Sequence, residues 1–224
     1  MYTVKELFYT LQGEGAHAGR AAVFCRFSGC NLWTGREQDR AVAVCRFCDT
    51  DFVGVGPDGG RFASATDLAV AVAERWTAGT EHTPAESRAA GVAPFVVCTG
   101  GEPLLQLDAS AVDALHAAGF EVAAETNGTQ AAPAGLDWVC VSPKAGAPLV
   151  LTTGDELKLV YPQPEPEAHP ERFAHLAFRH RWLQPMDVLD PTERAANTRA
   201  AVEYCLRHPA WRLSVQTHKI TGVR

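Results

Sequence analysis

The chain alternates short apolar runs with alanine-rich stretches of helical spacing, and this alternation limits the folds that it can adopt. Runs rich in β-branched and aromatic residues predict strands at 21–27, 94–99, 120–125, 138–142, 155–160, 181–185 and 211–216. Apolar residues at helical spacing predict helices at about 65–78, 108–118, 165–177 and 191–207. Nearly continuous apolar strands that alternate with helices are typical of a parallel sheet covered by helices. Because the helices are few, we expect an α/β fold with a partial, incomplete barrel rather than a closed one.

Capping sequences mark the start of two of these helices. Ser64 precedes the first helix, with Asp67 three residues later. Asp190 precedes the last helix, and it is followed by Pro191 at the first helical position and by Glu193. These signals support the helix assignments independently of the apolar spacing.

Length and composition exclude several classes of protein. At 224 residues the chain is long enough for one domain with a real core, so we expect a single domain over 1–224 with solvated connections at 79–92 and 161–172. A net charge of −6 opposes non-specific binding to nucleic acid. The apolar runs are shorter than the roughly 20 residues that a membrane span needs, and no signal peptide follows Met1. We therefore expect a cytoplasmic enzyme with no membrane or nucleic-acid partner.

Three cysteines lie together in a long polar loop at about 28–50. Cys30 stands alone, and Cys45 and Cys48 form a Cys-x-x-Cys pair. A structural zinc ion needs four ligands, and no histidine lies in this segment. An iron–sulfur cluster held by only three thiolates leaves one iron open to bind a cofactor. The alternative is that the cysteines are packed thiols, which we favour for the four others, Cys25, Cys98, Cys140 and Cys205.

Polar loops marked by glycine and proline follow five of the predicted strands. In parallel sheets such loops meet at one edge, where ligands bind. Arg26 follows Cys25 on a strand, so it would point into the barrel if Cys25 faces the helices. A buried guanidinium requires an anion such as a substrate carboxylate. Gln12 offers an amide donor and acceptor, and Glu14 offers a pair of acceptor oxygens, to a ligand with its own polar groups.

An ordered set of motifs covers almost the whole chain. The segments are "LQGEG" (11–15), "FCRFSGCNLW" (24–33), "CDT" (48–50), "TGGEP" (99–103), "ETNGT" (125–129), "SPK" (142–144), "QPMD" (184–187) and "QTHK" (216–219). This set resembles the radical S-adenosylmethionine (SAM) superfamily and, within it, the 7-carboxy-7-deazaguanine synthase family. The chain departs from the superfamily's short cysteine spacing, because 14 residues separate Cys30 from Cys45. A longer loop costs little entropy, and the resemblance is to a branch with such inserts.

The resemblance implies a partial parallel β/α barrel of the radical SAM type and a carbon–nitrogen lyase. A 4Fe-4S cluster on Cys30, Cys45 and Cys48 would cleave SAM to a radical. That radical would start the contraction of 6-carboxy-5,6,7,8-tetrahydropterin to 7-carboxy-7-deazaguanine, with loss of ammonia, in queuosine biosynthesis. The resemblance also implies Mg²⁺, with Thr50 as its protein ligand.

The resemblance also implies which residues surround each ligand. The residues expected to bind SAM are Phe47, Cys48, Asp49, Gly100, Gly101, Glu102, Ser142, Pro143, Lys144, Gln184, Pro185, Met186 and Asp187. The residues expected to bind substrate are Leu11, Gln12, Gly13, Glu14, Arg26, Thr99 and Arg224. No side chain need act as a general acid or base, and we expect Glu14, Glu125 and His218 to orient the substrate.

The partners expected are the pterin substrate, an electron donor such as flavodoxin or ferredoxin, and a second copy of the chain in a homodimer. Two other functions remain open at this point. One is a glycyl-radical-enzyme activase of the same superfamily. The other is a zinc-stabilised binding module that uses the three cysteines and one histidine.

Overall fold

The computed structural model describes residues 1–223 and is built around one sheet. The strands are β1 (Tyr2–Leu11), β2 (Ala21–Phe27), β3 (Gly60–Phe62), β4 (Phe95–Gly100), β5 (Glu121–Thr126), β6 (Trp138–Val141), β7 (Thr153–Tyr161), β8 (Ala177–Pro185) and β9 (Arg212–Leu213). The helices are α1 (Ala65–Thr80), α2 (Pro84–Ala89), α3 (Ala109–Ala117), α4 (Pro191–Arg207) and α5 (Thr217–Thr221). Within residues 1–223 no helix combines the length and the apolar composition that a membrane crossing requires.

The sheet is open and mostly parallel, as the sequence predicts. Its strand order is β3-β1-β2-β4-β5-β6-β7-β8-β9. β1 runs antiparallel to both of its neighbours, β2 and β3. The strands β2, β4, β5, β6, β7, β8 and β9 pair in parallel, each with the next in this order. The parallel register sets Arg26 opposite Thr99 and Glu125 opposite Cys140. Polar side chains from neighbouring strands therefore reach the same edge of the sheet.

Helices cover one face of the sheet with two apolar clusters. The larger cluster joins α1 and α3 to β1, β2, β4 and β5, and it contains Cys25, Cys98 and Trp76. The smaller cluster joins α4 to β7 and β8 through Tyr204 and Leu183. Because side chains alternate along a strand, burial of Cys25 under the helices sends Arg26 to the other face, as expected.

The helix starts agree with the capping signals. The Ser64 hydroxyl accepts from the backbone N–H of Asp67 at 3.1 Å, and the Asp67 carboxylate accepts from the Ser64 N–H at 3.0 Å. The Asp190 carboxylate accepts from the Glu193 N–H at 2.8 Å. These bonds satisfy backbone donors that a helix start otherwise leaves unpaired.

Two of the predicted segments are wrong. The helix expected at 165–177 is replaced by short 3-10 turns at Pro166–Ala168 and Pro170–Phe173, because two closely spaced prolines interrupt α-helical hydrogen bonding. The connection expected at 79–92 contains α2, which Thr83 caps. The strands β1 and β3 were not predicted, since Lys5 and Glu6 break the apolar pattern of β1.

Candidate functional site

Two adjoining pockets lie at the carboxyl edge of the parallel strands. The first pocket has a volume of about 190 Å³ and the second about 430 Å³, so the second has room for a ligand of its own. The residues that line both pockets are Asp49, Thr50, Thr99, Glu125, Gln184 and Gln216. Ligands bound in the two pockets would therefore touch the same wall.

Most residues expected around SAM line the first pocket. They are Phe47, Cys48, Asp49, Gly100, Gly101, Ser142, Lys144, Gln184, Pro185, Met186 and Asp187, and Cys45 and Thr50 join them. Two expected residues do not line it. Pro143 lines a separate pocket behind the loop that follows β6, and Glu102 is fully buried.

The three cysteines of the loop lie near one another. Cys30 and Cys48 pack against a small apolar cluster that contains Trp33 and Phe52. The Cys45 thiol donates to the Cys48 sulfur, and this bond lowers the pKa of Cys48 to about 6 despite its burial. The same bond raises the pKa of Cys45, and burial raises that of Cys30, so Cys48 is the one of the three that favours the thiolate, the form that binds metal.

The donor set fits a cluster better than a single metal ion. The loop at 28–50 offers three cysteines and no histidine. A zinc ion would need four such ligands at one point. The thiolates of an iron–sulfur cluster bind different irons, so three cysteines in one loop suit a cluster with an open iron.

Arg40 holds the cysteine loop together. Its Nη1 donates to the carbonyl oxygens of Arg46 at 2.8 Å and Cys48 at 3.1 Å. Its guanidinium also lies 4.1 Å from the ring centroid of Trp33 and pairs with Glu37 at 2.8 Å. The long insert therefore supplies a side chain that fixes the backbone of the Cys-x-x-Cys pair, a role that the motif alone does not predict.

Gly100 and Gly101 bring the loop after β4 against the loop after β2. A Cβ on Gly100 would lie 2.4 Å from the carbonyl oxygen of Phe27, and its φ of 153° disfavours other residues. A Cβ on Gly101 would lie 2.2 Å from the carbonyl oxygen of Gly29 and 2.8 Å from Cys30 Cβ. The pair thus sets the position of Cys30 in addition to lining the first pocket.

Glu102 is a structural carboxylate rather than part of the pocket wall. It accepts from the Leu104 N–H at 2.9 Å, the Thr126 hydroxyl at 2.7 Å and the Asn127 N–H at 2.8 Å. Burial raises its pKa, and these hydrogen bonds oppose the rise. Its side chain therefore joins the loop after β4 to the end of β5, and its expected contact with SAM stays a prediction.

Two polar side chains of the first pocket have environments that suit a ligand. Lys144 Nζ donates to the carbonyl oxygen and the hydroxyl of Ser142 at 2.6 and 2.7 Å, and burial lowers its pKa. Gln184 is only 8% exposed, and its Oε1 has no hydrogen-bond partner within residues 1–223. A buried acceptor without a partner costs free energy, which a donor on a bound molecule would recover.

Lys219 connects the cysteine loop to the loop after β8. Its Nζ lies 3.0 Å from an oxygen of Asp49 and 2.6 Å from an oxygen of Asp187. Arg194 pairs with the other oxygen of Asp187 at 2.8 Å. The hydrogen bond from Lys219 is the main cause that lowers the pKa of Asp187. The carboxylate expected to bind SAM is thus already held by two cations.

A ring of polar side chains forms the wall between the pockets. Lys158 donates to Glu14 and lies 3.6 Å from Glu125. Gln216 donates to Glu14 at 2.9 Å, and Gln12 donates to Glu125 at 2.9 Å. Burial alone would raise the pKa of Glu14, but the charge of Lys158 and its hydrogen bond lower it to about 2. We name these five residues the ion ring.

The second pocket brings together the expected substrate-binding residues that the structure describes. They are Leu11, Gln12, Gly13, Glu14, Arg26, Thr99, Glu125 and His218. Arg26 already pairs with Glu6 at 2.7 Å, so its guanidinium is not the isolated charge that the sequence suggested. His218 packs on Gly13, where a Cβ would lie 2.2 Å from its Nδ1. Arg224, the remaining expected residue, lies outside the described residues.

Sequence reasoning missed Lys158 and Gln216 as site residues. Lys158 lies between buried leucines in the run "DELKLV", and a charge inside a buried strand is a signal that could have found it. Gln216 belongs to the quoted "QTHK" segment, in which the sequence favours the cationic side chains of His218 and Lys219 instead.

Comparison with known proteins places the chain in one family. No protein-family model matches the chain. A 7-carboxy-7-deazaguanine synthase from Caulobacter vibrioides is 64% identical over 99% of both chains. One from Bradyrhizobium diazoefficiens is 62% identical over 100% of this chain and 99% of that one. The crystal structure of QueE from Escherichia coli covers 96% of this chain and 93% of its own, with a TM-score of 0.67 and 28% identity. The chain therefore belongs to the 7-carboxy-7-deazaguanine synthase family.

Proposed function

We propose that the chain contracts the ring of 6-carboxy-5,6,7,8-tetrahydropterin to 7-carboxy-7-deazaguanine with release of ammonia, as a radical SAM lyase of queuosine biosynthesis. Membership of the synthase family supports this assignment. The observation that carries it within the structure is the wall shared by the two pockets. A cofactor in the first pocket would lie directly beside a substrate in the second, as transfer of a hydrogen atom requires.

The residues of the first pocket suit the cofactors of this chemistry. Cys30, Cys45 and Cys48 would hold a 4Fe-4S cluster, and SAM would bind against Gly100 and Gly101 and the polar groups beside them. When bound, the reduced cluster and SAM supply the radical that removes a hydrogen atom from the substrate. Gln184 Oε1, which lacks a partner within residues 1–223, would accept from one of the two ligands.

The chain itself binds and orients, and it need not move protons. Gln12 and Glu125 present amide and carboxylate oxygens to the second pocket, where they suit the N–H donors of an amino-pyrimidinone. Arg26 and His218 also line this pocket and would attract the substrate carboxylate. Fixing the ligand against both walls supplies the orientation on which the reaction depends.

Thr50 would bind Mg²⁺ where the pockets meet. It lines both pockets, and its hydroxyl and backbone N–H donate to the Cys48 sulfur. A hydroxyl whose proton is donated in this way keeps oxygen lone pairs for a cation, and Mg²⁺ commonly takes few protein ligands. Addition of Mg²⁺ should raise the activity of Thr50→Ser as it raises that of the wild-type protein. The activity of Thr50→Ala should not respond to Mg²⁺.

The assembly around this site is also part of the proposal. The chain would work as one radical SAM domain over 1–224, in a cytoplasmic homodimer that receives electrons from a flavodoxin or a ferredoxin. All seven cysteines are free thiols, which agrees with a reducing compartment. Sedimentation velocity tests the dimer, and replacement of dithionite by each donor protein tests the electron source.

An anaerobic assay tests the proposed reaction. Reconstituted protein would be incubated with SAM, dithionite and 6-carboxy-5,6,7,8-tetrahydropterin, and 7-carboxy-7-deazaguanine and ammonia would be measured. Formation of both is expected, and absence of the deazapurine from iron-loaded protein would reject the proposal. Iron and zinc analysis separates it from the zinc module. An activase would cleave SAM without forming the deazapurine from this substrate.

A further inference from the structure

We propose that Lys158 is a positioning residue: anchored by Glu14, its ammonium orients Glu125 as the acceptor for the amino-pyrimidinone edge of the substrate. The inference rests on the proposed function and deepens it. Lys158 is on β7, its side chain is 8% exposed, and it donates to Glu14 on one side with Glu125 on the other. An ammonium group so deep in a sheet is costly unless its partners are fixed, so its position constrains both carboxylates.

The two carboxylates have different tasks. Both oxygens of Glu14 are occupied, one by Lys158 and the other by Gln216. Glu125 has one oxygen bonded to Gln12, and the other lies 3.6 Å from Lys158 Nζ, beyond a normal hydrogen bond. Glu125 also lines both pockets. Glu125 therefore offers the accepting oxygen to the substrate, while Glu14 anchors the ammonium that orients it.

The net charge of the ion ring selects the end of the substrate that it meets. Two carboxylates and one ammonium leave one negative charge, which attracts N–H donors and repels the substrate carboxylate. The carboxylate end is thereby directed away from the ring and toward Arg26, a cation that also lines the second pocket. The ring thus distinguishes the two ends of one molecule by charge as well as by shape.

The titration behaviour of the ring agrees with this role. The paired charges lower the pKa of Glu14 to about 2 and raise that of Lys158. The other titratable groups that face this pair are Glu125 from β5, Cys140 from β6, Glu156 from β7, Lys144 from the loop after β6, and His218 from α5. Without the ammonium, burial would raise the pKa of Glu14 above its ordinary value.

Lys158→Met and Lys158→Arg test the inference. We expect Lys158→Met to raise KM for the tetrahydropterin roughly ten- to a hundred-fold, with a smaller change in kcat. Its kcat/KM should rise with pH, because burial raises the pKa of the unpaired Glu14 and its ionisation adds a negative charge that attracts the N–H donors of the substrate. Lys158→Arg keeps the charge and should retain the wild-type pH profile. The rate of SAM cleavage in the absence of the tetrahydropterin, measured in both variants, shows whether the first pocket still binds its cofactors.

A second variant separates positioning from folding. Glu14→Gln combined with Lys158→Met removes the unpaired carboxyl, so the new pH dependence should disappear. If Lys158→Met alone does not fold, this double variant is compared with Glu14→Gln, and an equal KM in the two would overturn the inference. An unchanged KM and pH profile in folded Lys158→Met would also overturn it. Failure of the wild-type protein to form the deazapurine would instead reject the proposed function.

Discussion

The wall of the second pocket and the cysteine loop are held in place by different means. The ion ring draws Glu125 and Lys158 from strands whose register fixes their positions. The cysteine loop has no strand between β2 and β3, and a small apolar cluster and the hydrogen bonds of Arg40 to two carbonyls hold it. A loop with few buried contacts opens locally at lower free energy than a strand in a sheet.

This difference teaches where each part of the site is vulnerable. Changes in the ring should alter how the substrate binds while the fold persists around it. Changes in the loop should alter whether the metal centre assembles at all, because metal binding and loop ordering are coupled. Glu102 lies between the two regions, since its hydrogen bonds join the loop after β4 to the end of β5.

The largest expected effect is the loss of one thiol from the loop. Cys48→Ala should give a folded protein with no stable cluster and no detectable product. With only two cysteines left, two of the four irons would lack a thiolate ligand. Cys205→Ala, on α4 and away from the pockets, should keep both cluster and activity. Iron and sulfide content per chain measures the difference. Equal iron content in the two variants would contradict the assignment of the loop.

The next effect breaks the loop without removing a ligand. Arg40→Met should lower the iron retained after desalting and the activity by roughly tenfold, because two charge-assisted hydrogen bonds to carbonyl oxygens are lost. The melting temperature of the apoprotein should change little, since the loop contributes little to the core. Arg36→Met removes an equal charge from an exposed position in the same insert and serves as the control. The same loss of iron in both variants would show that charge, rather than these bonds, matters.

Glu102→Gln tests the connection between the two regions. The amide nitrogen of the new glutamine is a donor, and it would face at least one of the three groups that donate to Glu102. That hydrogen bond would be lost, so we expect the free energy of unfolding to fall by about 1–3 kcal/mol. The raised pKa of Glu102 means that its contribution favours folding below the pKa of the unfolded chain and weakens as pH rises through the folded pKa. Glutamine does not titrate, so the variant should lack this pH-dependent contribution to stability. Urea unfolding at several pH values measures both effects, and a variant as stable as wild type would contradict the role of Glu102.

The sequence predicted the parts of this molecule that depend on local signals. The Ser64 cap, the alternation of Cys25 and Arg26, and the glycine and proline loops at strand ends all follow from neighbouring residues. The helix expected at 165–177 failed because its alanines and leucine lie in a segment that prolines divide. Several site motifs located the pockets, since they follow parallel strands that end at the same edge, whereas "LQGEG" follows the antiparallel strand β1.

The sequence did not predict contacts between distant segments. Glu14 and Lys158 are 144 positions apart, and their pairing depends on the order of strands in the sheet. Glu102 lies in a motif that the resemblance assigns to SAM, but its burial under Thr126 and Asn127 is visible only in three dimensions. Arg40 looks like an ordinary surface charge until its carbonyl partners are known.

The smallest expected effect comes from the exposed ion pairs that Lys219 makes with Asp49 and Asp187. Lys219→Met removes the ion pairs to Asp49 and Asp187, which link the cysteine loop to the loop after β8. Exposed pairs contribute up to about 1 kcal/mol, so KM for SAM should rise about two- to fivefold, and less at high salt. As a control, Arg75→Met removes the surface ion pair between Arg75 on α1 and Asp58, and it should leave the KM for SAM unchanged. A rise that persists at high salt would mean that Lys219 contacts the cofactor itself, because a screened surface pair would lose its effect whereas a desolvated contact would not.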